Sequence, residues 1–130
     1  MIYLEINYQI KVPQRFETLF NKVAQAVSRE LSLKKDFNIS VAVVSPQKIK
    51  QLNQVYRQHN KVTDVLSFPE VDEIVICYQE AVRQQTRGVK KQLAWLFCHG
   101  LLHLLGFDHQ SDREERQMRG LEQKILHNIG

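Results

Sequence analysis

Cysteine, proline and glycine are scarce in this sequence, which has two, three and five of them among 130 residues. Cys77 and Cys98 stand far apart and form no Cys-x-x-Cys pair, so a disulfide framework is not indicated. We expect each thiol to be a small core residue in a protein of a reducing compartment. The shortage of glycine and proline also argues against long disordered segments.

Long apolar runs are missing as well. No stretch approaches the ~20 residues that a membrane-spanning helix needs. The first ten residues alternate between apolar and polar side chains, which is not the pattern of a secretory signal. We therefore expect a cytoplasmic protein without a membrane partner.

The length and composition of the chain fit one globular domain over residues 1–130. Hydrophobic residues make up 43% of the chain, which is enough for a core. The net charge of +4 is compatible with a nucleic-acid partner. Charge alone is weak evidence, because many basic proteins bind no nucleic acid.

Hydrophobic periodicity predicts an α+β fold, a small mixed four-stranded sheet packed with helices. Alternation or short apolar runs indicate four strands, over residues 2–10, 37–43, 65–68 and 74–77. The last two strands are close in sequence, so we expect them to pair antiparallel. Helical spacing or capping residues indicate helices that begin near Pro13, Ser45–Pro46, Gln79, Val89 and the Ser111–Glu114 capping box.

The stretch HGLLHLLGFDH contains three of the five histidines. His99 and His103 are four residues apart on a predicted helix, so they project from one face. Gly106 allows the chain to turn back, so that His109 reaches the same metal ion. Three histidine nitrogens leave a fourth position open, as in catalytic zinc sites. The alternative is that these are satisfied core histidines, but the spacing favours a metal site.

Gly100 stands where zinc proteases with this histidine spacing keep a glutamate base. Glycine cannot move a proton, so the protease mechanism does not transfer. A metal ion still lowers the pKa of water toward ~7 and so makes hydroxide available. A leaving alkoxide is easier to expel than an amine, so without the glutamate the chemistry favours phosphoesters over peptides. Asp108 is the nearest carboxylate in sequence that would orient a histidine.

This stretch resembles the signature H-G-x-L-H-L-x-G-[YF]-D-H of the YbeY family of ribosomal RNA maturation factors. A second block also resembles that family, since Tyr56 and Arg57 are followed by KVTDVLSFP at 61–69. The resemblance covers most of the chain and is densest from residue 53 to residue 126. Two departures are Asp72, where the family usually has glycine, and Arg119, where it often has phenylalanine.

The resemblance implies a single-strand-specific, metal-dependent endoribonuclease that acts in 16S rRNA 3′-end maturation and ribosome quality control. It implies a zinc ion held by His99, His103 and His109 on a zincin-like metal-binding helix. The family's conserved arginine falls on Arg57. The implied partners are single-stranded ribosomal RNA, the small ribosomal subunit and its assembly factors.

Arg57 is the candidate for binding the scissile phosphate, since a guanidinium binds two phosphate oxygens at once. The alternative is a solvated arginine at a helix end. His59 and Lys61 are candidates for a phosphate-binding rim, and Asp64 is expected either in a turn or in the cleft. The other basic residues considered are expected on solvated faces: Lys48, Lys50, Lys90, Lys91, Arg113, Arg116 and Arg119.

Three aromatic residues, Tyr56, Phe68 and Trp95, are expected in the core instead of in contact with bases. Two rival functions remain open at this point. One is a metallopeptidase that uses another carboxylate as its base. The other is a non-catalytic ribosome-assembly factor whose metal is structural.

Overall fold

The computed structural model of the protein describes residues 1–108 and 110–129. Its described residues form a four-stranded sheet and five α-helices. The strands are β1 (Ile2–Tyr8), β2 (Phe37–Val44), β3 (Val65–Phe68) and β4 (Glu73–Cys77). The helices are α1 (Glu17–Glu30), α2 (Pro46–Arg57), α3 (Tyr78–Gln84), α4 (Val89–Leu104) and α5 (Asp112–Asn128). The predicted α+β class is confirmed.

The sheet is mixed, with the strand order β1-β2-β4-β3. The first three of these strands run parallel, and β3 pairs antiparallel with β4 at the edge. The antiparallel pair expected from the two short apolar runs is therefore confirmed. Between them, Pro69–Val71 form one turn of 3-10 helix, and Asp72 follows in the left-handed region with φ of +52°. An aspartate thus maintains the turn where the resembled family usually has glycine.

Helices cover both faces of the sheet. Alternate residues of β2 point to opposite sides, so Val41 and Val43 face a core shared with α1, α4 and α5, while Ala42 and Val44 face α2. Helix α4 lies at the centre of the larger core, where Phe97 packs against Phe20 of α1 with ring centroids 4.9 Å apart. This burial fixes the position of the helix that bears the histidines.

Both cysteines are buried, as the sequence predicts for small core residues. Burial raises the pKa of the Cys98 thiol to about 12, and burial also raises the pKa of Cys77. None of the helices in the part of the chain described by the structure has the length and apolar character required to cross a membrane.

Two of the five predicted helix starts are confirmed by capping bonds. The Ser45 and Ser111 hydroxyls accept hydrogen bonds from the Lys48 and Glu114 amides, at 3.2 and 3.1 Å. Gly106 follows α4 in the left-handed region with φ of +105°.

The expected helix start at Pro13 is wrong, because α1 begins at Glu17. The Phe16 amide donates a 2.7 Å hydrogen bond to the Tyr8 hydroxyl. That bond ties residue 16 to the end of β1 and holds it outside the helix, with φ of −122°.

Candidate active site

A cleft of about 420 Å³ opens between α4 and β3. It brings together two of the three predicted metal ligands, His99 and His103, with the predicted phosphate-binding Arg57. Asp64 also lines this cleft and lies at the bend directly before β3, so both positions expected for it apply. The third predicted ligand, His109, lies outside the residues that the structure describes.

The histidine pair meets at the cleft side of α4. The Nε2 atoms of His99 and His103 are 3.2 Å apart, and the two rings meet edge to face. Two nitrogen ligands of one tetrahedral zinc ion, each ~2.0–2.1 Å from the metal, lie about 3.3 Å apart. The pair therefore has the separation of two ligands of one ion, and also that of a hydrogen bond between two imidazoles. In residues 1–108 and 110–129, no set of three His, Cys, Asp or Glu side chains forms a metal-ligand group.

Glu122 is the carboxylate that the structure places against this pair. Its Oε2 atom lies 2.7 Å from Nδ1 of His99, and the residue is only 5% exposed. A proton on Nδ1 shared with this carboxylate leaves the Nε2 lone pair of a neutral His99 directed at the cleft. The carboxylate therefore selects the tautomer that a metal ligand requires.

Sequence reasoning missed Glu122 and named Asp108, whose orienting role stays a prediction. Asp108 is half-buried just after α4. A signal for Glu122 was available, because Met118, Glu122 and Ile125 share one face of α5 and all three are buried. A glutamate on an otherwise apolar stripe requires a buried partner.

Gly100 packs directly on the sheet. A Cβ atom at this position would lie 3.0 Å from Cγ2 of Val65 and 3.2 Å from Cγ2 of Ile74. The Ser67 hydroxyl donates a 2.7 Å hydrogen bond to the Gly100 carbonyl oxygen, which holds the two elements together. Even the Cβ atom of a glutamate would press on these side chains, so the packing disfavours the protease base at this position.

Arg57 is the last residue of α2 and lies at the other wall of the cleft. Its Nη2 donates to the Ser67 carbonyl oxygen at 2.7 Å, and its Nη1 donates to the Tyr56 carbonyl oxygen at 3.2 Å. The guanidinium also lies over the Phe68 ring, 4.8 Å from its centroid. These contacts use two of the five N–H groups of a guanidinium and hold the cation at the cleft.

The proposed rim residues His59 and Lys61 are exposed, and the described lining of the cleft does not include them. The basic residues expected on solvated faces are all exposed, as predicted. Arg119 forms a 2.6 Å ion pair with Glu115. The departure from phenylalanine at that position therefore adds surface charge.

The expected burial of three aromatic residues is right for Phe68 and wrong for the other two. Phe68 is 5% exposed, whereas Tyr56 is 56% and Trp95 is 39% exposed. Trp95 lines the cleft, and its ring stacks on His99 with centroids 5.2 Å apart and planes inclined by 22°. At Trp95, helix α4 faces the open cleft instead of the apolar core, which explains why this side chain is not buried.

The family model and the similar sequences carry the same family description. The sequence model of a family described as Endoribonuclease YbeY matches residues 3–130. Relatives with that description include one from Syntrophomonas wolfei, 34% identical over 95% of this chain and 94% of the relative. Another, from Carboxydothermus hydrogenoformans, is 40% identical over 88% of each chain. The solution structure of a Thermotoga maritima protein matches with a TM-score of 0.68 and 30% identity, over 99% of this chain and 89% of that one.

Proposed function

The chain belongs to the YbeY family of endoribonucleases, and from that membership we propose that it is a zinc-dependent enzyme that cleaves single-stranded RNA. We further propose that its substrate is ribosomal RNA, in the 3′-end maturation of 16S rRNA and in ribosome quality control in the cytoplasm. The small ribosomal subunit and its assembly factors are then its partners. The observation that carries the proposal is the cleft that holds a histidine pair and an arginine together.

The residues of the cleft fit a zinc ion. His99 and His103 would hold it through Nε2 atoms whose 3.2 Å separation suits shared coordination. His109, outside the described residues, is proposed as the third ligand from the sequence spacing. A zinc ion bound there would supply a Lewis acid and a water of lowered pKa.

The protein's own groups would prepare this site before RNA arrives. Glu122 would accept a hydrogen bond from Nδ1 of His99 and fix the orientation of the ring, with Nε2 directed at the metal ion. Arg57 would bind the non-bridging oxygens of the scissile phosphate and stabilise the charge that develops on them. Its guanidinium is already fixed by Ser67 and Phe68, so little side-chain freedom would be lost on binding.

A cleavage assay on single-stranded RNA tests the proposal. The zinc-loaded wild type is compared with His99→Ala, Arg57→Ala and the control Arg29→Ala. Arg29 is an exposed arginine in the last turn of α1, as Arg57 is in the last turn of α2, but it lies outside the cleft. We expect His99→Ala to remove cleavage, Arg57→Ala to lower kcat by about 100- to 1000-fold, and Arg29→Ala to leave cleavage unchanged.

Equal cleavage by the wild type and His99→Ala would refute the metal mechanism and point to a contaminating nuclease. Two further assays, of peptide hydrolysis and of binding to a ribosomal subunit, distinguish the rival functions. Peptide hydrolysis that disappears in His103→Ala would indicate a metallopeptidase, which the packing of Gly100 argues against. RNA that stays intact while the protein binds a ribosomal subunit would indicate a non-catalytic assembly factor.

A further inference from the structure

Trp95 is the one tryptophan of the chain, and it lies at the cleft instead of in the core. Its neighbours along α4, Ala94 and Leu96, are buried, whereas Trp95 is 39% exposed. One side of the indole ring is covered by the His99 imidazole at 5.2 Å. A large aromatic surface therefore remains open beside the proposed metal ligands.

An indole in this position has the chemistry of a base-stacking platform. Single-stranded nucleic acids are bound by positive groups that contact phosphates and by aromatic rings on which bases stack. The cleft has both kinds of group, with the Arg57 guanidinium at one wall and Trp95 at the other. Among the described cleft-lining residues, Trp95 is the only one with a purely aromatic, uncharged side chain.

We propose that Trp95 stacks on an unpaired base next to the scissile phosphate and thereby selects single-stranded RNA. This inference rests on the proposed function of the same cleft. A base within a duplex has both faces covered by its neighbours, so it cannot stack on the indole without being displaced. Stacking tolerates every base because each has a π face. Trp95 would therefore select strandedness and not sequence.

Because the His99 ring stacks on Trp95, an alternative role must be distinguished from base stacking. In that alternative, Trp95 only holds this histidine in place. The two roles differ in their dependence on the base. A positioning residue alters zinc affinity and kcat for every substrate, whereas a stacking residue alters binding only where the RNA carries a base. Oligonucleotides with and without bases therefore distinguish them.

Tryptophan fluorescence gives a direct readout, since excitation at the red edge, where the four tyrosines do not absorb, isolates the signal of Trp95. Zinc-loaded protein is mixed in a stopped-flow instrument with a short oligoadenylate, or with an abasic ribose-phosphate oligomer of equal length, and read before turnover. We expect quenching by the oligoadenylate and little by the abasic oligomer. Equal signals from both would overturn the proposal.

Variants complete the test through binding and kinetics. We expect Trp95→Leu to raise the Kd and KM for single-stranded RNA by about 5- to 150-fold, with zinc affinity and abasic binding unchanged. Trp95→Phe should retain most of the affinity. The matched control is Tyr3→Leu, which removes an exposed aromatic ring from β1, at the sheet edge opposite β3.

Loss of zinc affinity in Trp95→Leu, or an equal loss with both oligomers, would assign Trp95 a positioning role and refute stacking. Unchanged RNA binding by Trp95→Leu, with normal cleavage, would refute it while leaving the proposed endoribonuclease in place. A wild type that cleaves no RNA would instead contradict the proposed function itself.

Discussion

Alanine in place of Gly100 would put a methyl group between α4 and the sheet. That methyl would lie 3.0 Å from Val65 Cγ2 and 3.2 Å from both Ile74 Cγ2 and Ser67 Oγ. Contacts this short require the neighbours to move by a few tenths of an ångström. Ile74 is fully buried and has little room to move. The hydroxyl of Ser67 is held by its bond to the Gly100 carbonyl oxygen.

Two effects of opposite sign decide the stability of this variant. Alanine in a helix interior is favoured over glycine by about 1 kcal/mol. Overpacking a tightly packed core costs about 1–3 kcal/mol. Since three neighbours are displaced at once, we take a cost of about 2 kcal/mol, so Gly100→Ala should lower the free energy of unfolding by about 1 kcal/mol.

Gly120 provides the matched control within the same chain. It lies in α5, is exposed, and has no atom within 4 Å of an added Cβ. Gly120→Ala should therefore raise the free energy of unfolding by about 1 kcal/mol. Urea unfolding measures both variants, and a shift in midpoint with an unchanged m-value indicates a change in stability alone.

The two variants should differ by about 2 kcal/mol in the free energy of unfolding. A Gly100→Ala variant that gains as much stability as Gly120→Ala would refute the reasoning. Helix α4 would then lie farther from β3 than the structure shows. The packing explanation for the missing protease glutamate would fail with it.

Three further predictions concern single residues. Glu122→Gln should weaken zinc binding by about 10- to 100-fold, because it removes the carboxylate charge that contacts Nδ1 of His99. Unchanged zinc affinity in a competition with a chromophoric chelator would contradict this. Asp72→Gly should raise the free energy of unfolding by about 1 kcal/mol, because it relieves a left-handed residue; a lower melting temperature would argue otherwise. Burial raises the pKa of Cys77. At pH 8, thiol reagents should therefore label the native protein far more slowly than the protein in urea, and labelling of the native protein should become faster as the pH rises. Equally fast labelling of native and urea-unfolded protein at pH 8 would refute this.

The parts of the fold that sequence predicts well are those determined by local chemistry. Ser45 and Ser111 mark helix starts because their hydroxyls satisfy amides only three residues away. The proximity of His99 and His103 likewise follows from helix periodicity alone. Pro13 misled because the hydrogen bond that keeps Phe16 out of the helix is accepted by Tyr8, a residue of the preceding strand, and local helix signals do not reveal it.

The parts of the site that sequence did not predict depend on which elements pack together. Glu122 comes from another helix, so nothing within HGLLHLLGFDH indicates it. Trp95 lies in an apolar helix that periodicity assigns to the core, yet the cleft leaves that position open. The close approach of Gly100 to β3 is equally a product of packing between distant segments.

Ser67 forms hydrogen bonds with both walls of the cleft. Its carbonyl oxygen accepts from Arg57 and its hydroxyl donates to α4, each over 2.7 Å. The spacing between the guanidinium and the histidines is thus tied to the four-residue strand β3. A one-residue slip of β3 would turn Ser67 to the opposite face and release both walls together.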